Sequence, residues 1–80
     1  MTMNAIKTLC ENNQFTHDMM MNEIKQRVSN DKVLSAIWEA GMKVATTDEE
    51  RKTVMFVIFD INEECKEIFA TYLYHKLRRE

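Results

Sequence analysis

Two cysteines and two histidines, Cys10, Cys65, His17 and His75, are the residues of this chain best suited to nucleophilic catalysis or metal binding. A thiol nucleophile needs a base within hydrogen-bond reach and a third group to orient that base. Cys10 and His17 stand seven positions apart, across an Asn12-Asn13-Gln14 run that favours a turn. Cys65 and His75 stand ten apart, nearly three turns of one expected helix. No two of the four have the short spacing of a structural zinc site. They read as two buried thiols and two surface histidines, with no metal and no cofactor expected. A single glycine, Gly41, leaves no room for either glycine-rich phosphate loop. The acidic residues Asp60, Glu63, Glu64 and Glu67 share one segment, but the Glu-x-x-His motif of helical di-metal centres is missing. They read as a solvated face, and the chain is not expected to be an enzyme.

The basic residues suggest a different chemistry, contact with phosphate. The segment from Glu23 to Lys43 has helix-turn-helix proportions and carries Lys25, Arg27, Lys32 and Lys43. Its second half also carries Asp31 and Glu39, and it lacks the Arg, Asn and Gln set that reads base edges. A cationic tail, Lys76, Arg78 and Arg79 beside His75, offers an anion contact, though cations at a helix C-terminus are equally explained by the helix dipole. Eleven basic against thirteen acidic residues give a formal charge of −2, whereas nucleic-acid binders usually carry a positive excess. A helical nucleic-acid- or nucleotide-binding protein using this tail is therefore the second functional reading.

The elements that must position these residues are helices. The chain has no proline and one glycine, which leaves few of the turn residues that hairpins require. The first helix is expected from about Asn4 to Asn12, with Ile6, Leu9 and Cys10 on one face. A second begins at Thr16, a good N-cap, with Phe15 and Met20 at hydrophobic-staple positions and Glu23 one turn before Arg27. Ser29-Asn30-Asp31 ends it and caps a third, to about Ala45, whose apolar stripe includes Leu34, Ile37, Trp38 and Gly41. Glycine inside that stripe costs about 1 kcal/mol of helix propensity, so close approach of another helix is expected there. Thr47-Asp48-Glu49-Glu50 is a capping box that opens a fourth helix.

From Asp48 to Arg79 the apolar positions continue at helical spacing. Val54, Ile58, Ile61, Cys65, Ile68 and Tyr72 form a heptad-like seam, and Met55, Phe59, Phe69, Leu73 and Leu77 a second stripe beside it. The run Val54–Phe59 could be a buried strand, but no second strand-like segment exists to pair with it. As a helix it is apolar all round, the pattern of a buried element. The expected fold is all-α, one domain over residues 1–80, with three short helices and a long C-terminal amphipathic helix. One straight helix of this length spans about 48 Å, against a domain of about 12 Å radius of gyration. It must break, with Asp60-Ile61-Asn62 as the best place, or pack on another chain.

Eighty residues bury only about 60% of the unfolded surface, so small domains of this kind lean on disulfides, metals or oligomerisation. With the first two set aside, self-association remains. The expected function is that of a small non-catalytic helical regulator or inhibitor. It would bind a protein partner and form a homo-oligomer through Met55, Ile58, Phe59, Ile68, Phe69, Tyr72 and Leu73. Seven methionines suit an adaptable face. Few glycines, no proline and many Asn, Lys, Ile and Met make the composition similar to that of accessory proteins from large lytic phages. That likeness of texture assigns no residue and would imply action on a host defence factor or a lysis component. No apolar stretch of roughly 20 residues is present, and from the first residues no signal leader and a cytoplasmic location are expected.

Overall fold

A computed structural model describes residues 1–79. They form five helices: α1 (Met3–Glu11), α2 (His17–Ser29), α3 (Lys32–Val44), α4 (Asp48–Ile61) and α5 (Glu63–Arg79). No strand occurs among the described residues, and Val54–Phe59 is helical. The long C-terminal helix is corrected to two helices that fold against each other.

Local chemistry accounts for every helix start. Thr2 caps α1 by accepting from the Ala5 amide at 3.1 Å. At its other end Asn13 takes φ of 58°, while Asn13 N–H donates to Cys10 O and Gln14 N–H to Leu9 O. That pair of bonds is a Schellman closure, with asparagine at the left-handed position usually held by glycine. Thr16 accepts from Met19 N–H at 3.1 Å, and the staple residues Phe15 and Met20 are both buried. Asp31 caps α3 through the Val33 and Leu34 amides. The Thr47/Glu50 capping box is complete.

The break after α4 rests on Asn62. Its N–H donates to Ile58 O at 2.8 Å, finishing α4, and its side-chain Oδ1 accepts from Cys65 N–H at 2.8 Å, starting α5. Extended backbone at this one residue, φ −116° and ψ 111°, turns the chain. Glu63 and Glu64 then occupy the first turn of α5, the favourable sign for the helix dipole.

Helix adjacency runs α2–α3–α4–α5 and back to α2, with α1 laid on α5 alone. Ile6, Met20, Ile24, Leu34, Ile58, Cys65 and Ile68 fill the centre. At Gly41 an added Cβ would meet both γ-carbons of Val54 at 2.8 Å, so the glycine admits α4 against α3 as its place in the stripe predicted. The radius of gyration is 13.0 Å and the extents are 37 × 26 × 19 Å. No helix of the described residues is long and apolar enough to cross a membrane.

Candidate functional site

In a ring of four helices two diagonals lack direct packing, and here one of them, α2 to α4, opens as an apolar groove. The turn at Asn62 creates its inner end. On one straight helix Phe56 and Phe69 would lie about 20 Å apart; after the turn their rings meet edge-on at 6.4 Å. Phe59 stacks on Phe69 at 4.9 Å and meets Phe56 edge-on at 6.1 Å. This aromatic triad closes one end of a cleft of about 350 Å³ whose other walls are His17, Met20 and Met21 of α2 and Lys52 and Met55 of α4. A second depression shares His17, Met21, Lys52 and Met55 and extends the groove to Trp38 and Met42 of α3. A third shares the phenylalanines and reaches Ala70 and Leu73 of α5.

The residues expected at an interaction surface separate into two groups. Ile58 and Ile68 are 0% exposed, and Phe59 and Tyr72 are buried, all within the core of this chain. Tyr72 meets Phe15 and His17 edge-on, at 6.4 and 6.1 Å. Met55 and Phe69 pack partly on that core and partly line the groove. Leu73 is exposed, at the outer end. Sequence spacing alone missed Met21, Trp38 and Met42 as groove walls, because they come from α2 and α3, which only the fold sets around the groove. It also placed Val54–Phe59 as a buried helix, whereas Phe56 is 54% and Val57 41% exposed.

The cationic tail does not converge on one point. Two positions on a helix differ by about 200° in azimuth, so Lys76 and Arg78 face away from each other. Lys76 Nζ sits 5.8 Å from the Tyr72 ring centre. Arg78 lies over the Tyr74 ring and donates to its hydroxyl at 2.9 Å. Arg79 is exposed.

The polar groups have structural partners. Glu23, 6% exposed, accepts from Arg27 at 3.1 Å and from the Met1 ammonium at 3.0 Å. Burial pushes its carboxyl up, but the hydrogen bonds from the ammonium and Arg27 outweigh that and hold it below the usual value. Arg27 also bridges to Glu64 of α5 and donates to Met1 O. Glu67 pairs with Lys7 of α1 at 3.2 Å. Half of the acidic segment read as a solvated face therefore ties α5 to its neighbours. Both cysteines are free and buried, and burial pushes both thiols above their ordinary value. Among the described residues no group of three His, Cys, Asp or Glu side chains is placed to hold a metal ion.

Comparison with protein-family models, with curated proteins and with solved structures finds no match.

Proposed function

We propose that this chain is a small non-catalytic helical regulator that works by binding a protein partner and self-associates through α5. The observation that carries the reading is the outer stripe of α5. Ala70, Leu73 and Leu77 follow one another at spacings of three and four on the side away from the buried Cys65, Ile68 and Tyr72. Leu77 is 60% exposed and Leu73 38%, and Phe56 and Phe69 continue the stripe toward the groove. Contiguous apolar surface of this kind on a small domain marks an interaction site. A two-fold contact would bring the same stripe together from both copies. The protonated, buried thiols support a non-catalytic reading, since the thiolate is the reactive form.

Light scattering on the intact chain and on a Leu73→Asp, Leu77→Asp variant tests it. Both leucines are exposed, so the charges leave the core intact, which a charge at fully buried Ile58 would not. The expected result is an oligomer that becomes a folded monomer in the variant. A monomeric intact chain overturns self-association. Loss of partner binding with added salt, with the α5 stripe unaffected, would favour the reading based on Lys76, Arg78 and Arg79.

A further inference from the structure

We infer that the α2–α4 groove is a receptor site for one amphipathic helix of another protein, with acidic residues flanking its apolar face. The inference rests on the reading of the chain as a protein-binding regulator and names the class of partner.

The shape fits a helix rather than an extended strand. No strand edge is present among the described residues to pair with a peptide backbone. The groove instead offers an apolar trough, with Met21 on one wall and Met55 and Phe56 on the other. Side chains at i, i+3, i+4 and i+7 of a docked helix would occupy such a trough. Methionine walls adapt to the shape of what enters, because the side chain is unbranched and its sulfur polarisable.

Charge decides which helix. The chain as a whole carries −2, yet the rim is cationic: Lys25, Arg51 and Lys52 border one half, and Lys66 the outer end. The acidic groups facing them are Asp48, Glu49 and Asp60. Asp48 is paired with Arg51 at 2.6 Å and Glu49 with Lys52 at 3.7 Å, so the excess positive charge of the rim rests on Lys25 and Lys66. Lys25 and Lys66 join no ion pair among the described residues. A positive rim on a negative protein selects for an acidic ligand and against a basic one. A second copy is a poor occupant, because its exposed apolar stripe on α5 has a mixed flank, Lys66, Lys76 and Arg78 with Glu63 and Glu67, and not an acidic one.

Trp38 lines the groove and is the one tryptophan of the chain, so its emission reports occupancy. The probes are two helical peptides of about five turns with the same leucine stripe, one flanked by glutamates and the other by lysines. The glutamate peptide should shift Trp38 emission saturably and bind at least about tenfold more tightly than the lysine peptide, the sum expected of several exposed charge pairs. Half-molar salt should narrow the gap. Met55→Glu should abolish the shift, with circular dichroism confirming the fold. If that variant unfolds, Lys25→Glu with Lys52→Glu, both exposed, should erase or invert the preference without touching the core. No saturable shift, equal affinity for the two peptides, or a preference that survives the lysine reversals overturns the inference. Molar mass of the free chain, read on the same samples, separates its failure from that of self-association. An oligomer that binds neither peptide sinks the groove alone, and a monomer that binds the glutamate peptide sinks self-association alone.

Discussion

Glu23 and Arg27 show how much a single charged pair depends on what surrounds it. Exposed pairs one helical turn apart contribute a few tenths of a kcal/mol, but this one is buried under the N-terminal segment and shared with Glu64. The ordinary glutamate value here is 4.5, and the folded carboxyl lies below it. Above 4.5 the carboxyl is ionised in both states, and its full contribution to stability is present. As pH falls from 4.5 toward the lower folded value, the unfolded chain takes up a proton that the folded chain refuses, so stability is lost. Glu23→Gln should therefore cost about 2 kcal/mol at neutral pH, the range for hydrogen bonds to charged groups. It should also flatten the acid limb of a plot of urea midpoint against pH between 3 and 6. An acid limb as steep as that of the unaltered chain would remove Glu23 as its source. The pairing of Glu23 with Arg27 was legible in the sequence because both lie on one helix. The bridge to Glu64 was not, since 37 positions separate it from Arg27 and only the fold brings them together.

At the scale of the helix, what could be read depended on whether the signal was local. Thr16, Asp31 and the Thr47/Glu50 box each act within one turn, and all three helix starts they predict occur. Gly41 also spoke plainly, because a glycine in an apolar stripe has few reasons to be there other than a neighbour's approach. Asn62 was harder. Helix length alone pointed to a break at Asp60-Ile61-Asn62, but Asn62 sits inside an apolar pattern that continues in phase on both sides, and the cap its side chain makes to Cys65 N–H is seen only in the structure. Capping prevails because the turn lets Phe56 and Phe59 meet Phe69, burial that a single rod would forgo. Removing the cap tests this balance. Asn62→Ala should lose about 1 kcal/mol, the usual value of an N-cap, and Asn62→Asp should keep most of it, as read from denaturant midpoints. Because alanine also favours a continuous helix, the near-ultraviolet dichroism of the aromatic cluster should weaken in Asn62→Ala. An undiminished aromatic signal would show that packing at the phenylalanines holds the turn without the cap.

Across the whole molecule the surface account explains why an 80-residue chain keeps a groove. A protein of 9.5 kDa ordinarily folds to about 5,000 Å² of accessible surface, and this one exposes 5508 Å². The difference fits a ring of helices with one open diagonal and an α5 longer than its neighbours. Which apolar positions fill the core and which line the groove was not legible in the sequence, because both sets share the same helical period; Ile58 and Met55 differ only in which neighbour the fold assigns them. The same architecture predicts uneven stability. The ring helices each pack on two others of the ring, whereas α1 rests on α5 alone, secured further by Met1 on Glu23 and Arg27 and by Lys7 on Glu67. Opening of α1 exposes Cys10 without dismantling the ring, while Cys65 is released only when α5 leaves the core. Local openings of lower free energy are reached more often than global ones, and a buried thiol reacts only when opened. Under native conditions a thiol reagent in excess should therefore modify Cys10 faster than Cys65 by about tenfold or more, a ratio that peptide mapping of partly labelled protein reads directly. Mild urea should bring the two rates together as global unfolding overtakes local opening. Equal rates in the absence of denaturant would mean that α1 belongs to the same cooperative unit as the ring, and that its single neighbour holds it as firmly as two hold the others.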